Sequence, residues 1–318
     1  MRRFTVSALC LLVPAMALAD DWGQSWISHP AADSTEQVQF RREIVLDAKP
    51  SAALVSVTSA GRYALYVNGY NVVPDVLEPG ELTGGDTLAV THYDVARYLR
   101  KGGNVLAVWY SPAGRCVRSG RQLSLVFQCD GGGLSDGFAC VTDSTWLCRA
   151  SGCRTFPDGG ELIDARTCAP LWTIDPDFAP GWLPAHEEHP DEPVPMAERW
   201  MWRTALRVES IRQYNFFSPV ESGGTGHTGR NSGRYSLQKG FDGWVRLTLR
   251  GMERGDTVTV NGLVYICSGD TDEQACRRFT AASSRFADVT LPAGRPFSCV
   301  TRAEAIAIRP YFHSSCRY

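Results

Sequence analysis

Three groups of residues are spaced so that they could do chemistry, and a fourth only looks that way. The first group is cysteine. Apart from Cys10 there are ten, in two even clusters: Cys116, Cys129, Cys140, Cys148, Cys153 and Cys168, then Cys267, Cys276, Cys299 and Cys316. No Cys-x2-Cys pair occurs, which argues against structural zinc, so the clusters read as disulfide frameworks with their connectivity open. Three bridges are expected in the first cluster and two in the second. The second group is acidic: Asp75, Glu78 and Glu81 gather in one loop, and Asp270, Asp272 and Glu273 lie between Cys267 and Cys276. Calcium takes oxygen ligands from such loops, which makes Asp75, Glu78 and Glu81 the candidate metal ligands. The third group is aromatic. Trp109 and Tyr110 end an apolar run, and alternation along a strand must turn one of them away from the core. An aromatic wall with a few placed polar groups is how a pyranose is held. Trp109 and Tyr110 are therefore candidate carbohydrate-binding residues, and Asn68, which reads first as a turn residue, is a lesser one. The lookalike is His186-Glu187-Glu188-His189, which departs from the His-Glu-x-x-His spacing of a zinc helix and is flanked by prolines. It is expected to be solvated chain.

Disulfides require an oxidising compartment, and the N-terminus points to one. Arg2 and Arg3 precede an apolar stretch over 6–13, Pro14 breaks it, and Ala17-Leu18-Ala19 is a small-residue cleavage pattern. That is the form of a secretory signal peptide, cut before Asp20. The apolar stretch is too short to span a bilayer, for which about 20 residues are needed. The mature chain is thus expected to be secreted or periplasmic. The formal net charge of −2 becomes more negative once Arg2 and Arg3 leave, which argues against a general nucleic-acid binder.

The elements that must position these residues are short strands. With 318 residues, 44% hydrophobic and 21% charged, the chain has room for about two globular domains and is not disordered. Seven prolines between 170 and 195 forbid a continuous helix and read as a partly extended linker. On one side, alternating runs at 52–57, 62–67 and 70–73 surround an Asn68-Gly69 turn, with further strands at 105–110 and 123–129. Asp94 is placed to cap a helical turn over 95–101. On the other side, runs at 244–249, 257–260 and 263–267 surround Asn261-Gly262, and 303–308 supplies a closing strand. Asn-Gly between alternating runs is the strongest short hairpin signal. The fold class is all-β: two β-sandwich domains, jelly-roll or galactose-binding-like, joined by the Pro-rich linker. The expected organisation is signal peptide 1–19, first sandwich 20–169, linker 170–195 and second sandwich 196–318.

Trp26-Ile27-Ser28, Phe40-Arg41-Arg42-Glu43, the run from Gly61 through Gly69, Leu77-Glu78-Pro79-Gly80, Tyr93-Asp94-Val95 and Gly103-Asn104-Val105 resemble, in order and spacing, the N-terminal β-sandwich of bacterial α-L-rhamnosidases. The segment 143–146 and Gly160-Glu161-Leu162-Ile163-Asp164-Ala165-Arg166 resemble the signatures that close that region, and 240–256 is similar to the following sandwich. The sequence has Pro79-Gly80-Glu81-Leu82 where the family usually has Pro-Gly-Trp-Thr, and the cysteine clusters are not a general family feature. The resemblance implies an accessory module that can bind rhamnose with help from calcium, ahead of a helical barrel that carries the catalytic carboxylates. No Gly-x-Ser-x-Gly elbow is present, no carboxylate pair can be placed across a cleft, and no barrel helices are evident. The chain as given is therefore expected to be non-catalytic and to bind rhamnose-containing glycans. Two alternatives stay open: the leading portion of an α-L-rhamnosidase, and a disulfide-stabilised interaction or adhesion module.

Overall fold

The computed structural model describes residues 25–79, 87–113, 121–132, 137–168, 170–175, 181–189, 196–200, 205–214, 217–218 and 231–311. The signal-peptide segment 1–19, Glu81, Cys116 and Cys316 lie outside the described residues. Among those described the fold is all-β, with a seven-stranded and a fifteen-stranded sheet. Helical structure there is confined to short 3-10 turns, one of which, Ala96–Tyr98, stands where the helical turn was expected. Asp94 Oδ1 accepts from Ala96 N at 3.1 Å, yet the residue at the N-cap is Val95, which makes no side-chain capping bond, so Asp94 stands one position before the expected place.

The first sandwich sets the smaller sheet, with Trp26–Ser28, Ala53–Ser59, Leu88–Asp94 and Leu123–Cys129, against Glu36–Leu46, Arg62–Val67, Gly102–Ser111 and Leu147–Thr155 of the larger. Period-two alternation decides what fills the space between. Leu106, Val108 and Tyr110 point inward from Gly102–Ser111, beside Tyr63, Leu65 and Val67 from its neighbour. The Asn-Gly hairpin forms as expected, with Asn68 at φ 49° and Gly69 at φ 84°, both in the region a type I′ turn demands. A Cβ on Gly69 would fall 2.5 Å from Ile174 Cγ1, so the turn also needs glycine for close packing against the 170–175 segment.

The alternate residues of Gly102–Ser111, Val105, Ala107 and Trp109, are buried as well. They belong to a second core with Tyr235, Val245, Leu247, Val258, Tyr265, Phe279 and Val289. In the second unit the 19-residue strand Ser232–Arg250 pairs with Ala282–Thr290 along its first part and with Asp272–Ala275 and Val300–Tyr311 along its last part, wrapping the sheet around this core. Asn261 at φ 46° and Gly262 at φ 78° make the second hairpin between Thr257–Val260 and Leu263–Ile266. The two units share one sheet, because Glu161–Asp164 pairs in parallel with Leu263–Ile266.

The Pro-rich stretch differs from a plain linker. Leu183–Pro184 pairs with Leu147–Thr155, His186–Glu188 with Trp26–Ser28, and Met196–Trp200 in parallel with Leu88–Asp94. The first unit therefore draws strands from as far as Trp200, past the boundary expected at 169. Proline, lacking an N–H, is tolerated at such edges and ends, whereas it would break a central strand. Glu187 and Glu188 are likewise engaged: Glu187 accepts from Ser144 N at 3.0 Å and lies 3.1 Å from His189 Nε2, and Glu188 pairs with Arg121 at 3.1 Å.

Candidate functional site

Where the two units meet there is a cleft of about 340 Å³. One wall comes from the outer face of Arg62–Val67 and the chain after its hairpin, with Ala64, Tyr66, Asn71, Asp75 and Val76. Ile163, Ala165 and Cys168 form the base, and Trp244, Tyr265, Gln274, Cys276 and Arg278 the opposite wall. Tyr66 reaches the cleft because alternation turns Ala64 and Tyr66 outward as it turns Leu65 inward.

Two buried charges fix the walls relative to each other. Glu161 is fully buried, and its carboxylate accepts from Gln37 Nε2 at 3.0 Å, from the backbone N–H groups of Arg278 at 3.0 Å, Phe279 at 3.2 Å and Thr280 at 3.3 Å, and from Thr280 Oγ1 at 3.1 Å. An acid of the first unit thus gathers three consecutive amides of the second. Arg277 works in the other direction, donating to the carbonyl of Gly159 at 2.5 Å, to Thr280 Oγ1 at 2.7 Å and to the carbonyl of Asn261. Burial lowers the Arg277 pKa and nearby Glu161 opposes that shift; a guanidinium so basic stays charged at neutral pH. Arg62 adds a bond to the Phe279 carbonyl at 2.5 Å.

Beside the cleft lies a layer of aromatic rings. Trp172 stands edge-on to both Tyr66 and Trp109, at centroid distances of 5.9 and 6.2 Å, and Trp109 meets Phe279 at 6.2 Å. The exposed Arg278 lays its guanidinium 4.2 Å from the Trp109 ring centroid, and its Nη1 donates to Tyr66 Oη at 3.3 Å. Cation–π contact of this kind holds the guanidinium at the mouth while leaving its edge able to donate.

The residues singled out by sequence are placed differently from expectation. Trp109 is 3% exposed and Tyr110 1%, so neither ring offers a surface to a sugar. Trp109 does leave the first core, but the face it turns to is covered by the second unit. Asn68 Nδ2 donates to the Tyr98 carbonyl and to Asn104 Oδ1, both at 2.8 Å, and its Oδ1 accepts from Val105 N at 2.9 Å, so its amide is spent inside the fold. Glu78 is turned inward, 3% exposed, and accepts from Thr91 Oγ1 at 2.9 Å. Asp75 lines the cleft, and Glu81 lies outside the described residues. Among the described residues no three His, Cys, Asp or Glu side chains come together as a metal would require. In the second acidic loop, Glu273 accepts from Ser268 N at 2.7 Å and Gly269 N at 2.8 Å, Asp272 pairs with Arg250 at 2.8 Å, and Asp270 accepts from Ser268 Oγ at 2.7 Å.

The eight described cysteines, 129, 140, 148, 153, 168, 267, 276 and 299, all stand as thiols, with Cys153 and Cys168 in sulfur contact at 3.6 Å. Sequence reasoning missed Tyr66, Arg278 and Glu161 as site residues. Glu161 carried a signal, since it begins the Glu-Leu-Ile-Asp-Ala-Arg motif. Asp164 of the same motif accepts from Arg166 N at 3.1 Å and Nε at 2.8 Å, capping the turn that leads into the cleft base.

The arrangement suits a small polar ligand with an apolar face. Its volume is at the lower end of ordinary ligand sites, roughly 300–1,000 Å³. Asp75 is the one carboxylate among the described lining residues, so the two-carboxylate geometry of glycoside hydrolysis is not assembled there.

Fold and cleft together define a pair of β-sandwich units with a ligand-sized junction. Residues 48–200 match the family described as alpha-L-rhamnosidase N-terminal domain. Among solved structures it is similar to the α-L-rhamnosidase from Dictyoglumus thermophilum, with 19% identity, TM-score 0.76 and coverage of 91% of this chain and 36% of that one. The α-L-rhamnosidase from Aspergillus terreus matches with 20% identity, TM-score 0.73, 91% and 36% coverage. That from Streptomyces avermitilis, solved with L-rhamnose, matches with 21% identity, TM-score 0.72, 89% and 30% coverage. At such identities the likeness shows the fold. The chain spans about a third of the length of these rhamnosidases. No curated protein matches the sequence.

Proposed function

We propose that this protein is an exported, accessory carbohydrate-binding protein whose ligand is a rhamnose-containing glycan, held in the cleft between the two units. The cleft itself carries the reading: Tyr66, Trp244 and Tyr265 supply aromatic walls, and Asp75, Asn71, Gln274 and Arg278 supply polar groups around the mouth. A deoxysugar presents the matching mixture of apolar face and hydroxyls. The rhamnosidase N-terminal domain over 48–200 supports the choice of sugar, and the N-terminal basic–apolar–small pattern supports export. Titration calorimetry of the full chain with L-rhamnose and rhamnose-rich polysaccharides, with and without chelator, tests it. Arg278→Ala should weaken binding at least tenfold while leaving thermal stability nearly unchanged, because Arg278 is exposed. Flat heats with every rhamnose-containing ligand would sink the reading.

A second reading follows from the one-third coverage of the matched enzymes: the two units act as the leading part of an α-L-rhamnosidase. An in-frame helical domain encoded after codon 318 would support it, and a stop followed by unrelated sequence would count against it, whereas release of the aglycone from an aryl rhamnoside by this chain would show hydrolysis of its own.

A further inference from the structure

We propose that Cys153 and Cys168 form a disulfide that braces the base of the cleft. The inference stands on geometry and does not depend on what the cleft binds.

Cys153 lies at the end of Leu147–Thr155, fully buried, and Cys168 follows the turn Ala165–Thr167 and lines the cleft. Their sulfurs are 3.6 Å apart, and both rest against the backbone of one residue: Asp164 N donates to Cys153 Sγ at 3.4 Å, and Cys168 Sγ donates to the Asp164 carbonyl at 3.1 Å. Thr167 Oγ1 ties the same two segments again, donating to the Ser151 carbonyl at 2.6 Å. A disulfide needs the sulfurs to approach by about a further 1.5 Å, within reach of side-chain rotation when the segments already touch. Among the described residues, the other cysteines of the first cluster pack elsewhere. Cys140 and Cys148 belong to the first core with Cys129 packed beside it, whereas Cys153 and Cys168 belong with the second. The thiols are also poised unequally. Cys168 is partly exposed and lines the cleft, where a reagent can reach it, while Cys153 is fully buried behind it.

With an external disulfide such as oxidised glutathione, the Cys168 thiolate attacks one sulfur and expels one glutathione thiolate, leaving a mixed disulfide. Cys153, losing its proton, then attacks Cys168 Sγ and expels the second. Two electrons pass to glutathione, and the two thiol protons end on the two released glutathione molecules. The new bond closes a loop spanning 15 positions that carries Glu161, Asp164 and the cleft base.

Peptide mapping of the full chain, exposed to oxidised glutathione and digested without reduction, tests the pairing. The expected result is one peptide pair joined through Cys153 and Cys168. In Cys168→Ser, Cys153 should become a free thiol towards an alkylating reagent in the unfolded chain. Wild-type protein should melt several degrees higher when oxidised than when reduced, and Cys168→Ser should lose most of that difference. Alkylation of both residues in the oxidised wild type, or linkage of either to another cysteine such as Cys276 across the cleft, would overturn the proposal. Mapping the wild type keeps the test valid should the variant fail to fold, and a flat sugar titration would leave the pairing untouched.

Discussion

Glu161→Ala should loosen the junction between the two units more than any other single carboxylate replacement. The side chain is fully buried and accepts from three consecutive backbone amides, a hydroxyl and the Gln37 amide. Alanine removes every acceptor at once. A buried donor left without a partner costs about 1–3 kcal/mol. Five such donors do not add in full, because relaxation and entering water recover part, and the breaking of a buried charged contact gives about 3–5 kcal/mol in total. Arg277 also loses its nearby countercharge. Glu161→Gln should be far milder, about 1 kcal/mol. Its one carbonyl oxygen can keep the face that meets Arg278 N and Thr280 N, while its amide turns toward Gln37, whose buried Oε1 lacks a hydrogen-bond partner. Hydrogen exchange resolved at residues 263–280 reads this directly. Protection at 278–280 should fall by roughly 10²- to 10⁴-fold in Glu161→Ala if opening is local, at about 1.4 kcal/mol per tenfold. Unchanged exchange at those amides would refute the view that this carboxylate holds the units together, and equal losses in both variants would refute the hydrogen-bond account.

Asn68→Ala should cost about 2–3 kcal/mol in urea unfolding, since it loses three hydrogen bonds and puts at φ 49° a residue that lacks asparagine's tolerance of that region; Asn68→Gly should recover only the backbone part. Trp109→Ala should cost about 3–5 kcal/mol through the cavity left in the second core, and exchange should rise in the second unit as well as the first, because the ring faces the second core. The state of the sulfurs predicts a pH dependence. Burial pushes Cys140 up to about 11 and Cys148, Cys267 and Cys276 up to about 12. An unfolded thiol titrates near about 8.5. Below that value folded and unfolded thiols are both neutral and the stabilisation is fully present; above it the unfolded chain loses protons that the folded one retains, so stability falls toward pH 12. Fully reduced protein should therefore show a falling melting temperature over about pH 8.5–11, and any thiol locked in a disulfide should drop out of that dependence.

The fold was largely legible because its signals are local. Both Asn-Gly turns demand positive φ, and Arg62–Val67 and Leu123–Cys129 alternate clearly enough to be placed to the residue. What was illegible is non-local. The unbroken apolar run 105–110 marks a strand covered on both faces, but nothing in Val105, Ala107 and Trp109 says what covers the second. The Pro-rich stretch misled for a related reason. Proline excludes a central strand but not an edge, and His186–Glu188 contains none. Aromatic residues near a loop suggested the sugar site, yet the rings that line the cleft come from 66, 244 and 265, which only the parallel pairing of Glu161–Asp164 with Leu263–Ile266 brings together.

That pairing also explains why the cleft lies where it does. Gly102–Ser111 presents Leu106, Val108 and Tyr110 to one core and Val105, Ala107 and Trp109 to the other, so no ligand can reach either face of it. Access begins only beside the strand, along Arg62–Val67, whose outer residues Ala64 and Tyr66 are partly exposed. There the second core ends, and the wall opposite is the segment 274–279. That segment is held by bonds running both ways across the junction: its amides to Glu161, its Arg277 guanidinium to Gly159, and its Phe279 carbonyl to Arg62. Walls fixed by buried, satisfied polar groups hold their spacing before a ligand arrives, which lowers the ordering cost of binding. The price is an acid and a guanidinium kept out of water, and the described hydrogen bonds offset it only while both units are in place. The first unit separated from the second should therefore lose one wall of its cleft, and Glu161 and Trp109 would face solvent where the second unit now covers them.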